Sequence, residues 1–254
     1  MRIGPRLENY REKYRHALLT RSDDGVLEVV LHSDGSDLIW GAGPHEELGY
    51  LFEDIGRDPH NKVIIMTGAG AAFIGRESLG GGAMTAQAWQ RIHADGKRLI
   101  MSHLDIEVPM IAAVNGPALV HAELALLCDV VIAAENAVFA DSPHFTNGLV
   151  PGDGVQVVWP MLLGMNRARY FLLTGQHLDA LRALDWGVVN EVLPREALLP
   201  RARELAATIA ARPAGTLRAT RSAMVHQIKK AMHDNLGYGL MLEGMAAIQY
   251  WPAE

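Results

Sequence analysis

Val108-Pro109-Met110-Ile111-Ala112-Ala113-Val114 is a nearly continuous apolar run of strand length, closed by Asn115-Gly116-Pro117. A strand with apolar side chains on both faces must be covered on both, as in a sheet sandwiched between helices. Upstream, Lys62-Val63-Ile64-Ile65-Met66-Thr67 is a second such run, ending in Gly68-Ala69-Gly70. Val26-Leu27-Glu28-Val29-Val30-Leu31-His32 is a third, bounded by Asp24-Gly25 and Ser33-Asp34-Gly35. Between these runs Leu48, Leu51, Phe52 and Ile55 recur at helical spacing, and Ala88, Trp89, Ile92, Leu99 and Ile100 give residues 85–104 an apolar side after a glycine-rich loop at 75–82. Downstream, a helix beginning near Glu123 feeds a strand at Asp129-Val130-Val131-Ile132-Ala133-Ala134. Strands and helices alternate, which predicts an α/β fold. From Ala197 onward only helical patterns occur, over 197–211 and 216–233 with Pro213 between them. The chain therefore divides into a core, 1–195, and a helical region, 196–254. Residues 1–22 are polar and charged and read as an irregular or helical lead-in.

The 254 residues are enough to bury roughly 70–75% of the unfolded surface in one substantial core, so no disulfide or metal staple is needed for size. A single cysteine, Cys128, excludes an intramolecular disulfide and any zinc site built on paired cysteines, and it suits a reducing compartment. The N-terminal stretch has no apolar signal-peptide segment, and no run of about 18 uncharged apolar residues occurs, so a cytoplasmic protein without a membrane partner is expected. A net charge of −6 argues against a nucleic-acid binder. Arg218, Arg221, Lys229 and Lys230 would form one basic helix face, read as solvated. The 11 histidines are the unusual feature of the composition, consistent with surface residues, a metal cluster or an acid/base site. His226 and His233 share a helix face but lack partners at metal-ligand spacing, and the glycines at 75 and 80–82 match no phosphate-binding fingerprint.

Several short motifs keep a common order: Phe73 through Leu79 after a strand, Ala112-Ala113-Val114-Asn115-Gly116, Glu123 through Asp129, Leu149-Val150-Pro151-Gly152-Asp153-Gly154, Leu172-Leu173-Thr174-Gly175, and Gly187 through Val192. Together they resemble the crotonase, or enoyl-CoA hydratase/isomerase, superfamily over roughly residues 25–195. The resemblance implies a spiral of ββα units, a C-terminal helical trimerisation region, assembly as trimers or dimers of trimers, and backbone donors that stabilise an enolate or oxyanion.

The chain departs from the CoA-using members in the loop Ile74-Gly75-Arg76-Glu77-Ser78-Leu79 and in the shortened stretch Ala118-Leu119-Val120-His121-Ala122-Glu123. It also departs where His144 replaces their glutamate after a proline, and at its ending Tyr250-Trp251-Pro252-Ala253-Glu254. Ile39-Trp40, His45-Glu46-Glu47-Leu48, Pro143-His144-Phe145, Val150 through Gly154 and Val158-Trp159-Pro160 resemble the branch of 6-oxocamphor hydrolase and related β-diketone hydrolases. That branch implies a retro-Claisen C–C hydrolase without cofactor or metal, acting on a cyclic or bicyclic β-diketone to give a keto acid. Its site residues fall on Trp40, His45, His121, His144, Asp153 and Glu243.

Each of these also has an ordinary structural reading. Imidazole accepts a proton from water near neutral pH, and a carboxylate on its other nitrogen fixes the tautomer. His144 and Asp153 are assigned as base and orienter, against a turn cap and a satisfied bend. His45, near a helix start, is a donor to a substrate carbonyl or a capping residue. His121, between apolar Val120 and Ala122, is a donor to the diketone or enolate oxygen or a buried core histidine. Glu243 lies on a stripe with Leu236, Leu240, Ala246 and Ala247, where a carboxylate needs a partner or a raised pKa. It is a proton donor, an orienter of His45 or an interface ion pair. Trp40 walls a carbocycle or fills the core. Glu123, catalytic in a hydratase, is read here as structural. The rival functions are a CoA-thioester hydratase, isomerase or hydrolase and a non-catalytic binding protein of the same fold.

Overall fold

The computed structural model describes residues 4–78 and 82–251, so Leu79-Gly80-Gly81 of the expected loop and the terminal Pro252-Ala253-Glu254 lie outside the described residues. In chain order it contains α1 (Leu7–Tyr10), β1 (Ala17–Arg21), β2 (Val26–Leu31), β3 (Ile39–Trp40), α2 (Ala42–Arg57), β4 (Val63–Gly68), β5 (Arg76–Glu77), α3 (Ala86–Asp105) and β6 (Met110–Val114). There follow α4 (Glu123–Leu126), β7 (Val130–Ala134), β8 (Val138–Phe139), a 3-10 turn (Phe145–Asn147), α5 (Val155–Leu163), α6 (Met165–Thr174), β9 (Leu178–Asp179), α7 (Ala180–Asp185), β10 (Glu191–Leu193), α8 (Arg195–Ala210) and α9 (Ala214–Tyr250).

The main sheet runs β1-β2-β4-β6-β7-β10, parallel except for β1 on β2. Every residue of β4 and β6 is buried, the consequence of apolar side chains on both faces. On one face the long helices α2 and α3 bury Leu48, Leu51, Phe52, Leu99 and Ile100. On the other, α8 lays Leu198, Ala202, Ala206 and Ala210 at four-residue spacing against Val63, Ile65, Ile111, Ala113, Ile132 and Ala134. The helical region beginning at 196 thus shares a core with the sheet.

Three expectations change. Residues 17–21 form a strand: Ala17 and Leu19 are buried while Leu18 and Thr20 are exposed, a period-two pattern too short to stand out until β2 supplies the antiparallel partner. The helix expected over 216–233 continues to Tyr250, past Gly237, Gly239 and Gly244, because these glycines lie where other groups press on the helix: Gly239 against Gly152 and Gly244 against Trp89. The basic face of α9 is solvated only in part, with Lys230 exposed and Lys229 and Arg218 partly so. Arg221 is 1% exposed and pairs with Asp129 at 2.8 Å, Arg218 reaches Glu107 at 3.4 Å, and Lys229 pairs with Asp105.

Beyond the carboxyl ends of β4 and β6 the chain is held tightly. Asn115 accepts from Gly68 N at 3.0 Å and donates to the carbonyls of Gly70 and Ala72. This brace fixes the two connections that continue into β5 and α4. Isolated bridges tie Ile74 to Ala118 and Ala118 to Phe139, so three post-strand segments lie side by side.

Candidate active site

Those segments deliver the histidines and carboxylates to one place. Trp40 comes from β3, His45 from the first turn of α2, His121 and Glu123 from the start of α4, Asp141 and His144 from the loop after β8, Asp153 from the loop before α5, and Glu243 from α9. His45, Glu123, Asp141, His144, Asp153 and Glu243 are all buried.

His144 is held from two sides. Its Nδ1 lies 2.5 Å from Asp141 Oδ1, while Nε2 lies 3.5 Å from Glu243 Oε1 and 3.6 Å from Asp153 Oδ2. A carboxylate can only accept, so Nδ1 carries the proton given to Asp141, and Nε2 faces the other two carboxylates. Asp153 was expected to orient His144. It instead lies on the Nε2 side of that ring and also 3.3 Å from His121 Nδ1, between the two imidazoles.

His121 adopts φ of +47°, a left-handed conformation that side chains other than glycine rarely take. There its Nδ1 meets Glu123 Oε1 at 2.5 Å and its ring packs on Trp40 with centroids 4.1 Å apart. Trp40 also meets His45 edge-on at 5.9 Å, and the His45 and His121 rings lie 6.0 Å apart, so the three rings pack as one cluster. Glu123, expected to be structural, is fully buried and adjoins the cluster through His121. Glu243 does not orient His45, since its carboxylate faces His144.

The electrostatics separate the three histidines. Burial pushes His45 down to about 4, aided by repulsion from His121, and keeps it neutral. Burial also disfavours charge on His121, but Glu123 and Asp153 outweigh it and raise the imidazole to about 9. For His144 burial is likewise overcome, by Asp153, Asp141 and Glu243, which hold it well above its ordinary value. Burial pushes Glu243 up to about 6 against the pull of His144. Burial also raises Glu123 and Glu77, whereas for Asp153 the two neighbouring cations outweigh burial and keep it low. One oxygen each of Glu123, Asp141 and Glu243 is buried without a hydrogen-bond partner. Such groups call for a proton, a water or a substrate.

His121, Glu123 and Asp153 offer ligand atoms within 4.8 Å of one another, the compass of a metal site. The 2.5 Å between His121 Nδ1 and Glu123 Oε1 is a hydrogen-bond separation. Two atoms bound at about 2.0–2.1 Å to a tetrahedral zinc would stand roughly 3.3 Å apart. As placed, these two atoms share a hydrogen bond, and a metal bound by both would require them to move apart.

Sequence reasoning passed over Asp141, three residues before His144, and Glu77, which pairs with Trp40 across β3 and β5. The Asp-x-x-His spacing was the available signal for the first. Nothing in the pattern marks the second.

The sequence matches the enoyl-CoA hydratase/isomerase family over residues 41–243. The chain belongs to this family. Among its relatives is a carnitinyl-CoA dehydratase from Citrobacter koseri, 37% identical over 186 residues that cover 71% of this chain and 69% of that protein. Another, from Proteus mirabilis, is 32% identical over 89% of this chain and 85% of that protein. A solved β-diketone hydrolase from the cyanobacterium Anabaena sp. PCC 7120, bound to (S)-3-oxocyclohexyl acetic acid, superposes with a TM-score of 0.91 at 42% identity, covering 94% of this chain and 97% of its own. An enoyl-CoA hydratase/isomerase from Mycobacterium paratuberculosis reaches 0.82 at 27% identity, covering 92% and 94%. The protein is accordingly an enzyme of the crotonase superfamily with the crotonase-like fold.

Proposed function

We propose that this enzyme hydrolyses a C–C bond between the two carbonyls of a cyclic or bicyclic β-diketone, giving a keto acid. The observation that carries the reading is the Asp141–His144 pair with Nε2 facing Asp153 and Glu243, an imidazole base where the hydratase pattern has a glutamate. The likeness to a β-diketone hydrolase holding a keto acid supports it. That acid is the formula of a bicyclic octane-2,6-dione with two-carbon bridges plus one water.

The protons balance within the site. Without substrate His144 is an imidazolium, held so by Asp153, Asp141 and Glu243. A carbocycle that displaces water lowers the local dielectric and favours a neutral imidazole beside a neutral acid over an ion pair, so the Nε2 proton passes to Glu243. His144 then takes a proton from water, whose oxygen bonds to one carbonyl carbon while the π electrons move to the carbonyl oxygen. Collapse of this oxyanion breaks the bond to the central carbon and leaves an enolate on the second carbonyl. Glu243 protonates the enolate carbon, which restores the starting charges. His121, held as a cation, and neutral His45 are the donors for the developing oxygen charge, a contribution of several kcal/mol. Trp40 supplies an apolar wall.

Tyr238, Met241, Met245 and Ile248 form an exposed apolar face on α9, which supports assembly as a trimer or dimer of trimers. The single, buried Cys128 suits a reducing, cytoplasmic setting.

The direct test is incubation with bicyclic β-diketones in oxygen-18 water. Ring opening with label in the new carboxylate is expected, and His144→Ala should abolish it. Full activity in His144→Ala would refute the mechanism. Turnover of carnitinyl-CoA or crotonyl-CoA in place of any diketone would overturn the proposal in favour of CoA chemistry.

A further inference from the structure

We infer that Asp141 is the positioning residue of His144, fixing its tautomer so that Nε2 is the nitrogen presented to the reacting water; this rests on the diketone-hydrolase reading only for its kinetic consequence. The geometry separates Asp141 from Asp153. At 2.5 Å Asp141 makes a charge-assisted hydrogen bond to Nδ1, whereas the 3.6 Å from Asp153 to Nε2 is beyond hydrogen-bond range. An orienter on Nδ1 holds the ring while leaving Nε2 to accept water's proton once Glu243 has taken the one it carries.

The backbone holds Asp141 for this task. Ala140 N donates to Ala118 O at 3.2 Å and Ser142 N to Leu119 O at 3.0 Å, which locks the Asp141 segment beside the one leading to His121. Pro143 fixes its own φ, Leu149 N donates to His144 O at 3.1 Å, and Asn147 Nδ2 donates to Ser142 O at 2.8 Å. Asp141 and His144 thus face each other across a short braced turn. The charged groups facing His144 from other elements are Asp153 before α5, Glu243 on α9, His121 before α4 and Glu77 on β5.

Nitrogen-15 NMR of histidine-labelled, substrate-free protein tests the inference independently of any reaction. On titration to the neutral form, His144 should keep its proton on Nδ1, with a strongly downfield proton signal. Asp141→Asn should remove that signal and move the His144 titration to lower pH, while Asp153→Asn should leave the Nδ1 signal in place. In diketone hydrolysis Asp141→Asn should lower kcat by about 10⁴-fold, the scale of a wrong-tautomer imidazole, with KM within about threefold. Asp141→Glu should recover part of kcat. A neutral His144 protonated on Nε2 in the unsubstituted protein would overturn the inference without requiring any variant to fold. Loss of the Nδ1 signal in Asp153→Asn but not in Asp141→Asn would do the same. If no diketone is turned over, the NMR result still decides the role of Asp141.

Discussion

Gly152→Ala probes how α9 brings its carboxylate to the site. Gly152 precedes Asp153 and lies against Gly239 and Glu243 of α9. A Cβ on residue 152 would stand 2.6 Å from the Gly239 carbonyl carbon and 3.0 Å from Glu243 Cβ, where ordinary contact begins at 3.4 Å. The Gly239 carbonyl oxygen is nearer still, so the shortfall is at least about 0.8 Å; it falls on backbone, which has no rotamer to escape into, and α9 and the 152 segment must move apart by at least that much. A displacement of about 0.8 Å directed along the line between them would widen the gap between Glu243 Oε1 and His144 Nε2 from 3.5 Å to about 4.3 Å. Overpacking of this kind costs about 1–3 kcal/mol, or a fall in Tm of roughly 2–12 °C for a chain of this size. A displacement approaching 1 Å in a proton-transfer group costs on the order of 10–100-fold in rate. Calorimetry and initial rates of ring opening measure the two effects separately. A Tm within about 1 °C of the parent would refute the steric argument. A lowered Tm with unchanged kcat would refute the positioning of Glu243 by this contact.

Three further outcomes are expected. Arg221→Ala removes a guanidinium buried against Asp129, Ile106 O and Met110 and leaves Asp129 uncompensated, so urea unfolding should show a loss of about 3–5 kcal/mol; a change below 1 kcal/mol would mean the pair contributes nothing. Glu243, raised to about 6, must be ionised to take the His144 proton, so kcat/KM should fall below about pH 6; because the fold disfavours its charge, Glu243→Gln should gain stability over the parent as pH rises from 4.5 through 6, remove that acid limb and lower kcat, and an unaltered pH profile would count against its role. Met241→Glu with Met245→Glu should shift light-scattering mass from trimer or hexamer towards monomer, and a parent protein that is already monomeric would dispose of the proposed assembly.

The sequence by itself determined the layered α/β core, because runs such as Val108–Val114 and Lys62–Thr67 can be satisfied only in strands covered on both faces. His144, Asp153, His121, His45, Trp40 and Glu243 were marked by the resemblance of their motifs to the β-diketone hydrolase branch, since spacing alone leaves each of them an ordinary structural reading. Pairing is a different matter, because which carboxylate reaches which nitrogen depends on ångström-scale placement of segments distant in the chain. It took the tertiary structure to show that Asp141 takes Nδ1 of His144, that Asp153 lies between two histidines, and that Glu123 is bonded to His121. The same holds for Arg221, whose place on a basic helix face gave no sign that Asp129 buries it. Local periodicity reports which face of an element is apolar, and charge partners across the fold are set by how those faces come together.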